Sequence, residues 1–356
     1  METFRIDVPQ ADLDDLNHRL DRTRWPQEIP GAGWDYGVPP AYVRGLAEHW
    51  RHKYDWRAVE ARLNAYPQFR TEIDGQRIHF LHIRSPRKDA LPLILTHGWP
   101  GSVAEFLDVL DPLAEDFHLV VPSLPGFGFS GPTSARGWDP QRIARAWATL
   151  MRQLGYDKYG AAGNDWGSFV APALGRVAPD AVVGVHVTQL WTEGDLDETV
   201  LDETDRAALA DRAWFDEHMN AYGAIQAQQP QSLAYALTDS PVGLLGWHCL
   251  IYREGVDADY VLTNVMMHWL TGTGGTAPRI YYEHAHVPQP DTPTTVPIAT
   301  AQFRDDYQPI RALAPRAHAN IVSWHSYDRP GHFAAHQSPE LLVADMREFF
   351  SGRRRG

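Results

Sequence analysis

The sequence has 356 residues, 45 Asp+Glu against 32 Lys+Arg and a formal net charge of −13, a length far above the roughly 100–150 residues of a modal domain, so one large domain with an insertion or two domains sharing a core are expected. With 44% apolar, 11% aromatic and 22% charged residues it is neither disordered nor collagen-like. The acidic balance argues against nucleic acid as a partner, since that binding needs Lys and Arg to displace phosphate counterions, and a lone Cys249 excludes both a disulfide framework and a Cys-based zinc site.

The amino end, Met1-Glu2-Thr3-Phe4-Arg5-Ile6-Asp7, lacks the basic-then-apolar order of a secretory signal. No run approaches the roughly 18 apolar residues of a spanning helix. A cytoplasmic location without a membrane anchor is expected. Residues 1–66 read as helical pieces broken by prolines: Leu13, Leu16 and Leu20 have helical spacing in Ala11–Arg22, Thr23-Arg24-Trp25-Pro26 ends that helix, and Pro39 opens another through Tyr42, Leu46 and Trp50. From Phe69 strands take over. Phe69–Ile73 and Arg77–Ile83 flank Asp74-Gly75, a strong hairpin signal. Short apolar strands follow at Leu93–Thr96, His118–Val121, Tyr159–Ala162 and Val182–Val187, separated by helical stretches near Val103–Leu113 and Pro140–Leu154. This rhythm specifies a buried, mostly parallel sheet. From about Leu190 to Thr292 the chain is mostly helical, with helices predicted at Arg206–Tyr222, Ser232–Leu237 and Ala258–Leu270; strands return at Val296–Thr300 and Asn320–Trp324 before a last helix at Pro339–Phe350. A helical insertion between two halves of one sheet is a lid. Cys249 lies in an apolar run and reads as a core thiol, and Arg353-Arg354-Arg355 as a solvated tail.

The segment richest in chemistry is Gly163-Asn164-Asp165-Trp166-Gly167, between a predicted strand and a predicted helix. That is the context of a nucleophile elbow, whose strained central residue needs small residues two positions away on either side. The central position usually carries Ser; here it is Asp165, and a carboxylate attacks sp³ carbon to leave an alkyl-enzyme ester. In isolation, an ordinary turn with an Asp helix cap would look the same. Two further segments favour the elbow. Thr96-His97-Gly98-Trp99-Pro100-Gly101-Ser102 follows the preceding central strand, where the N–H groups of Trp99 and Trp166 would together face an oxygen on the Asp165 carboxyl carbon. Arg329-Pro330-Gly331-His332 follows the last strand, so position singles out His332 from 17 histidines as the base. Its carboxylate partner is Asp306, with Asp305 the alternative, in the loop after Val296–Thr300.

These motifs, with Pro122-Ser123-Leu124-Pro125-Gly126-Phe127-Gly128-Phe129-Ser130 and Gly331-His332-Phe333-Ala334-Ala335, resemble the microsomal-type epoxide hydrolases of the α/β-hydrolase superfamily. Phe4-x-Ile6-x-Val8-Pro9 and Thr23-Arg24-Trp25-Pro26 resemble that family's amino-terminal extension, and Asp239-Ser240-Pro241-Val242-Gly243-Leu244 resembles part of its lid. The resemblance spans essentially the whole chain. It implies an α/β-hydrolase fold with a mostly parallel central sheet, an extension over 1–66, a core over 67–189 and 292–356, and a helical lid over 190–291. It also implies that Asp165 is the nucleophile, His332 the water-activating base and Asp306 its acid, while two lid tyrosines protonate the epoxide oxygen. Tyr222 matches the first; Tyr281 matches the second, with adjacent Tyr282 as its alternative register. Trp269 and Phe333 are the candidates for contact with substrate. Small apolar or aromatic epoxides are the implied partners and vicinal diols the products. No metal and no organic cofactor is implied. Although some relatives begin with a membrane-anchoring helix, this chain starts directly at the soluble extension. A homodimer is compatible with the residues, none of which selects an oligomeric state.

Two other readings compete. A haloalkane dehalogenase also uses an Asp nucleophile but needs halide-binding N–H donors where this lid offers tyrosines. A catalytically silent ligand-binding hydrolase fold would lack a member of the triad, and none is missing. Gly126-Phe127-Gly128-Phe129-Ser130-Gly131 spells a dinucleotide fingerprint, but Pro132 and Thr133 stand where a helix should begin. His284-Ala285-His286 has no evident third metal ligand. Of 13 tryptophans, Trp25, Trp34, Trp50 and Trp56 read as packing of the extension, whereas Trp191, Trp214, Trp247 and Trp269 fall in or beside the lid.

Overall fold

The computed structural model describes residues 1–192, 198–253 and 255–353. Asp74 and Gly75 both take positive φ (53° and 72°), which matches the twist of the strands they join. They close a hairpin of β2 (Gln68–Ile73) and β3 (Gln76–Ile83), and β1 (Glu2–Phe4) adds to its outer edge. The other strands are β4 (Leu91–Thr96), β5 (Phe117–Pro122), β6 (Tyr159–Gly163), β7 (Val182–Val187), β8 (Ile298–Arg304) and β9 (Ile321–Pro330). Among the described residues they form one nine-stranded sheet in the order β1-β2-β3-β5-β4-β6-β7-β8-β9, antiparallel as far as β5 and parallel beyond it. This is the α/β-hydrolase fold.

The central strands β4, β6 and β7 are buried on both faces, so their residues are apolar or small almost throughout. On one face the helix Pro140–Gln153 places Ile143, Trp147 and Leu150 inward; Asp139 caps it through the Arg142 N–H, and the Trp147 indole N–H donates to Thr96 Oγ1 at 3.1 Å. On the other face lies the helix Pro339–Ser351. Its Asp345 carboxylate accepts from His186 Nε2, His325 Nδ1 and the Tyr327 hydroxyl at 2.6–2.7 Å, which satisfies a buried charge between β7 and β9.

The insertion contains helices Glu203–His218, Ala221–Gln228, Pro230–Asp239, Pro241–His248, Ala258–Trp269 and Arg279–Ala285. The extension braces it. Tyr42 donates to the Tyr252 carbonyl, Tyr54 meets Thr263 Oγ1 at 3.0 Å, and Arg19 reaches Asp239. The extension is not purely helical: besides Gln10–Asp21, Pro40–His52 and Trp56–Leu63 it supplies β1. The helix expected over Val103–Leu113 is a 3-10 turn at Val103–Phe106 and a short helix at Leu110–Ala114. Pro112 has no N–H to donate back into a preceding turn, so the helix restarts with the proline near its beginning. Arg353 is partly exposed and lies over the Phe349 ring; Arg354 and Arg355 lie outside the described residues. Cys249 is fully buried. Among the described residues no helix is long and apolar enough to cross a membrane.

Candidate active site

Asp165 sits at the sharp turn between β6 and the helix Gly167–Val177, with φ of +49°. Its neighbours must be glycines because space runs out. A Cβ on Gly167 would lie 1.9 Å from the Thr96 carbonyl oxygen, and one on Gly163 would lie 2.4 Å from the Gly167 carbonyl group. The loop after β4 comes equally close: a Cβ on Gly98 would meet Asp165 Oδ1 at 2.1 Å. That approach lets the Trp99 N–H donate to Asp165 Oδ1 at 2.7 Å, while the Trp166 N–H also bonds the carboxylate. Burial raises the Asp165 carboxyl above its ordinary value, and His332 with the two N–H groups pulls the other way.

Several neutral, buried groups hold the Trp99 loop. His97 Nε2 accepts from the Leu124 N–H at 3.1 Å and its Nδ1–H donates to the Gly98 carbonyl; burial pushes this imidazole down to about 3. From the lid, His268 Nε2 lies 3.1 Å from the Pro100 and Gly101 carbonyls, and Asn264 meets Ser102 at 2.7 Å. Glu105 is buried nearby, and desolvation, with the Asp165 charge adding to it, pushes its carboxyl up to about 8.

The loop after β9 brings His332 to the site. Its Nδ1 lies 2.9 Å from Asp306 Oδ1, whose side chain is only 4% exposed. Asp305 instead has a side chain 67% exposed and pairs with Arg304. Burial opposes a charge on His332, but the Asp306 carboxylate, through charge and hydrogen bond with Asp165 and Glu105 adding, outweighs it and lifts the imidazole to about 9. Nε2 is buried without a hydrogen-bond partner.

Over the carboxylate lie aromatic rings from the lid. Tyr222 stacks on Trp99 with centroids 5.2 Å apart and planes at 15°; Tyr281 stands edge-on to Trp166 at 4.7 Å and to Tyr222 at 6.2 Å. Burial, with Asp165 adding, pushes both phenols above their ordinary value, so both keep their protons at neutral pH. Gln226, from the same lid, accepts from the Trp247 indole N–H at 2.9 Å. Tyr282 faces outward and stacks on His286.

His332, Asp306, Tyr222, Tyr281 and the N–H groups of Trp99 and Trp166 therefore gather around the half-buried carboxylate of Asp165. Phe333 packs beneath it, stacked on Tyr252 and edge-on to His332 at 4.6 Å. Trp269 does not join them: its ring lies under the Arg19 guanidinium of the extension. The preceding His268 uses the loop-facing side of that helix, and one residue turns the next side chain by about 100°. Trp214 is half exposed, Trp191 packs between Phe169 and Tyr307, and His284 and His286 turn toward different rings, Trp166 and Tyr282. A groove of about 850 Å³ between extension and lid includes Trp247 in its wall but none of the five catalytic candidates. Glu105 and Gln189 carried no sequence signal, since neither stands in a motif with a chemical role.

Residues 1–106 match the family described as epoxide hydrolase N terminus and residues 92–232 the family described as alpha/beta hydrolase fold. A putative epoxide hydrolase of Stigmatella aurantiaca is 41% identical over 98% of this chain and 84% of its own. Epoxide hydrolase 1 of Oryctolagus cuniculus is 29% identical over 97% of this chain and 88% of its own. Among solved structures, the Aspergillus niger epoxide hydrolase superposes with a TM-score of 0.89 at 32% identity, covering 99% of this chain and 96% of that one. The juvenile hormone epoxide hydrolase of Bombyx mori gives 0.90 at 26%, covering 99% and 95%.

Proposed function

The chain belongs to the epoxide hydrolase family, and from that premise we propose that it converts an epoxide and water to a vicinal diol through an ester on Asp165. The observation that carries this reading is the Asp165 carboxylate itself, with one oxygen on the Trp99 N–H at 2.7 Å and the phenols of Tyr222 and Tyr281 above it. Oδ1 already accepts from the Trp99 N–H, so Oδ2 is the attacking oxygen. It displaces the ring oxygen from carbon in line, and a tyrosine hydroxyl passes its proton to that oxygen as the C–O bond breaks. Without this donor an alkoxide would have to leave. Both phenols being protonated at neutral pH supports the assignment.

Esterification removes the negative charge of Asp165, one of the charges that keep a proton on His332. His332, still held by Asp306, then takes a proton from water through Nε2. The resulting hydroxide adds to the Asp165 carboxyl carbon, and the Trp99 and Trp166 N–H groups hold the oxyanion. Collapse breaks the bond between that carbon and the original Oδ2, which departs with the diol and recovers the proton from His332. The other diol hydroxyl keeps the proton it took from the tyrosine; the second hydrogen of the attacking water is left on the Asp165 carboxyl group, which ionises and returns that proton to the tyrosinate through solvent. Apolar walls of Trp99, Trp166 and the two tyrosine rings suit a small apolar or aromatic epoxide.

The test is turnover in oxygen-18 water with mass spectrometry of the Asp165 peptide. One turnover should leave the label in Asp165 and unlabelled enzyme oxygen in the diol. Label found in the diol from the first turnover, with none in Asp165 after many, would show direct attack by water and sink the ester route.

A further inference from the structure

The strand order places one more residue where it touches both halves of this machinery. Asp165 follows β6, Asp306 follows β8, and β7 lies between them, so a side chain at the carboxyl end of β7 falls between the nucleophile and the acid. That side chain is Gln189, which is 1% exposed. Its Oε1 accepts the Asp165 backbone N–H, while Nε2 donates to Asp306 Oδ1 and Oδ2, each at 2.8 Å, and lies 3.3 Å from His332 Nδ1. Chemistry fixes the direction of the amide. Turned over, it would set an NH₂ against the Asp165 N–H and an oxygen against a carboxylate.

We propose that Gln189 is a positioning residue that keys the nucleophile elbow to the Asp306–His332 pair and acts mainly on the hydrolysis half of the reaction. Its Oε1 satisfies the N–H of a residue held at positive φ, so the elbow has a buried acceptor where no strand supplies one. Its Nε2 hydrogens fix the plane of the Asp306 carboxylate, and Oδ1 thereby stays aimed at His332 Nδ1. The groups facing the dyad are Asp165 on the elbow, Glu105 behind the Trp99 loop and Gln189 itself. Gln189 touches no substrate. Its effect reaches the ester through the orientation of His332, whereas attack by Asp165 proceeds without that imidazole acting as a base.

This inference rests on the ester route proposed above, and the experiment separates the two. Wild type, Gln189→Met and Gln189→Glu are mixed with styrene oxide, quenched in acid on the millisecond scale and assayed for ester on the Asp165 peptide, alongside steady-state kinetics across pH. Gln189→Met keeps the volume and removes both polar ends. It should lower kcat by about 10- to 100-fold through misorientation of the base and lower KM in step, leaving kcat/KM near that of wild type. Ester should accumulate accordingly. Gln189→Glu keeps the acceptor for the elbow and sets a negative charge beside Asp306, which holds the proton on His332 more strongly. The acid limb of kcat should therefore move to higher pH. An equal loss of kcat and kcat/KM in Gln189→Met with no added ester overturns the proposal, as does an unmoved acid limb in Gln189→Glu. Should Gln189→Met fail to fold, the acid limb of Gln189→Glu decides alone. Ester absent from wild type would refute both the route and the inference, whereas ester present in wild type but not increased in Gln189→Met refutes the inference alone.

Discussion

Replacing Gly98 by Ala adds one methyl group at the most crowded point of the site. A Cβ there would stand 2.1 Å from Asp165 Oδ1, 2.4 Å from its Cβ and 2.6 Å from its Cγ. Either the carboxylate or the loop must move by about 1 Å to restore ordinary contact. A displacement of that size costs about 100-fold in rate, and losing the Trp99 N–H, held at 2.7 Å, costs about 100- to 1000-fold. The two losses share one cause and do not simply multiply. A fall in kcat/KM of roughly 1000-fold, about 4 kcal/mol of transition-state stabilisation, is expected. Near-ultraviolet circular dichroism and urea denaturation check that the fold survives, since overpacking costs about 1–3 kcal/mol. Gly45→Ala is the control: its Cβ would meet nothing within 4 Å. A folded Gly98→Ala enzyme with kcat/KM within threefold of wild type would refute the argument that the glycine exists to admit the carboxylate.

Tyr222→Phe and Tyr281→Phe should each lower kcat/KM for an epoxide by about 10- to 100-fold, the worth of one hydrogen bond to developing charge, and the double variant by more; unchanged rates would remove the phenols from the mechanism. Asp306→Asn should lower kcat by about 1000-fold and move its acid limb to lower pH, because burial then acts on His332 without the charge that raises it. Asp305→Asn should leave both unchanged, and the reverse pattern would reassign the acid. Asp345→Ala leaves the buried His186 imidazole without its carboxylate, along with the partly exposed His325 and Tyr327, and should cost about 3 kcal/mol in urea unfolding, with less than 1 kcal/mol refuting that burial argument. Burial pushes the Asp345 carboxyl up, but His186, Tyr327 and His325 together hold it below its ordinary value. Its contribution is therefore present above about pH 4 and fades as pH falls further, so the variant should lose less stability on acidification than wild type does.

The residues that could be read without a structure are those whose local chain geometry dictates their type. Asp74-Gly75 marks a turn because both residues need positive φ, and Gly163 and Gly167 mark the elbow because no Cβ fits there. The interior strands announce themselves by unbroken apolar runs, which follow from burial on both faces. What stayed hidden depends on the arrangement of distant segments. Gln189 is 24 residues from Asp165 and 117 from Asp306, and only the strand order brings the three together. Glu105 has the same origin: nothing around it in sequence distinguishes a surface glutamate from one buried beside the nucleophile. Trp269 misled in the opposite sense, since a tryptophan in a lid suggests a substrate wall, yet helix rotation gives that face to His268. The choice between Asp306 and Asp305 likewise turns on one positive-φ residue, Asp305, which throws its own side chain outward and leaves the next one facing His332.

The central claim, a covalent ester on Asp165 that only His332 can discharge, is tested most directly by the mass of His332→Gln after exposure to an epoxide. An amide cannot take a proton from water, so hydrolysis should stall after the first chemical step. The protein should gain the mass of one epoxide per chain, on the peptide that carries Asp165, and Asp165→Asn in the same background should gain nothing. Consumption of epoxide by His332→Gln with Asp165 left unmodified at every time point would contradict the account.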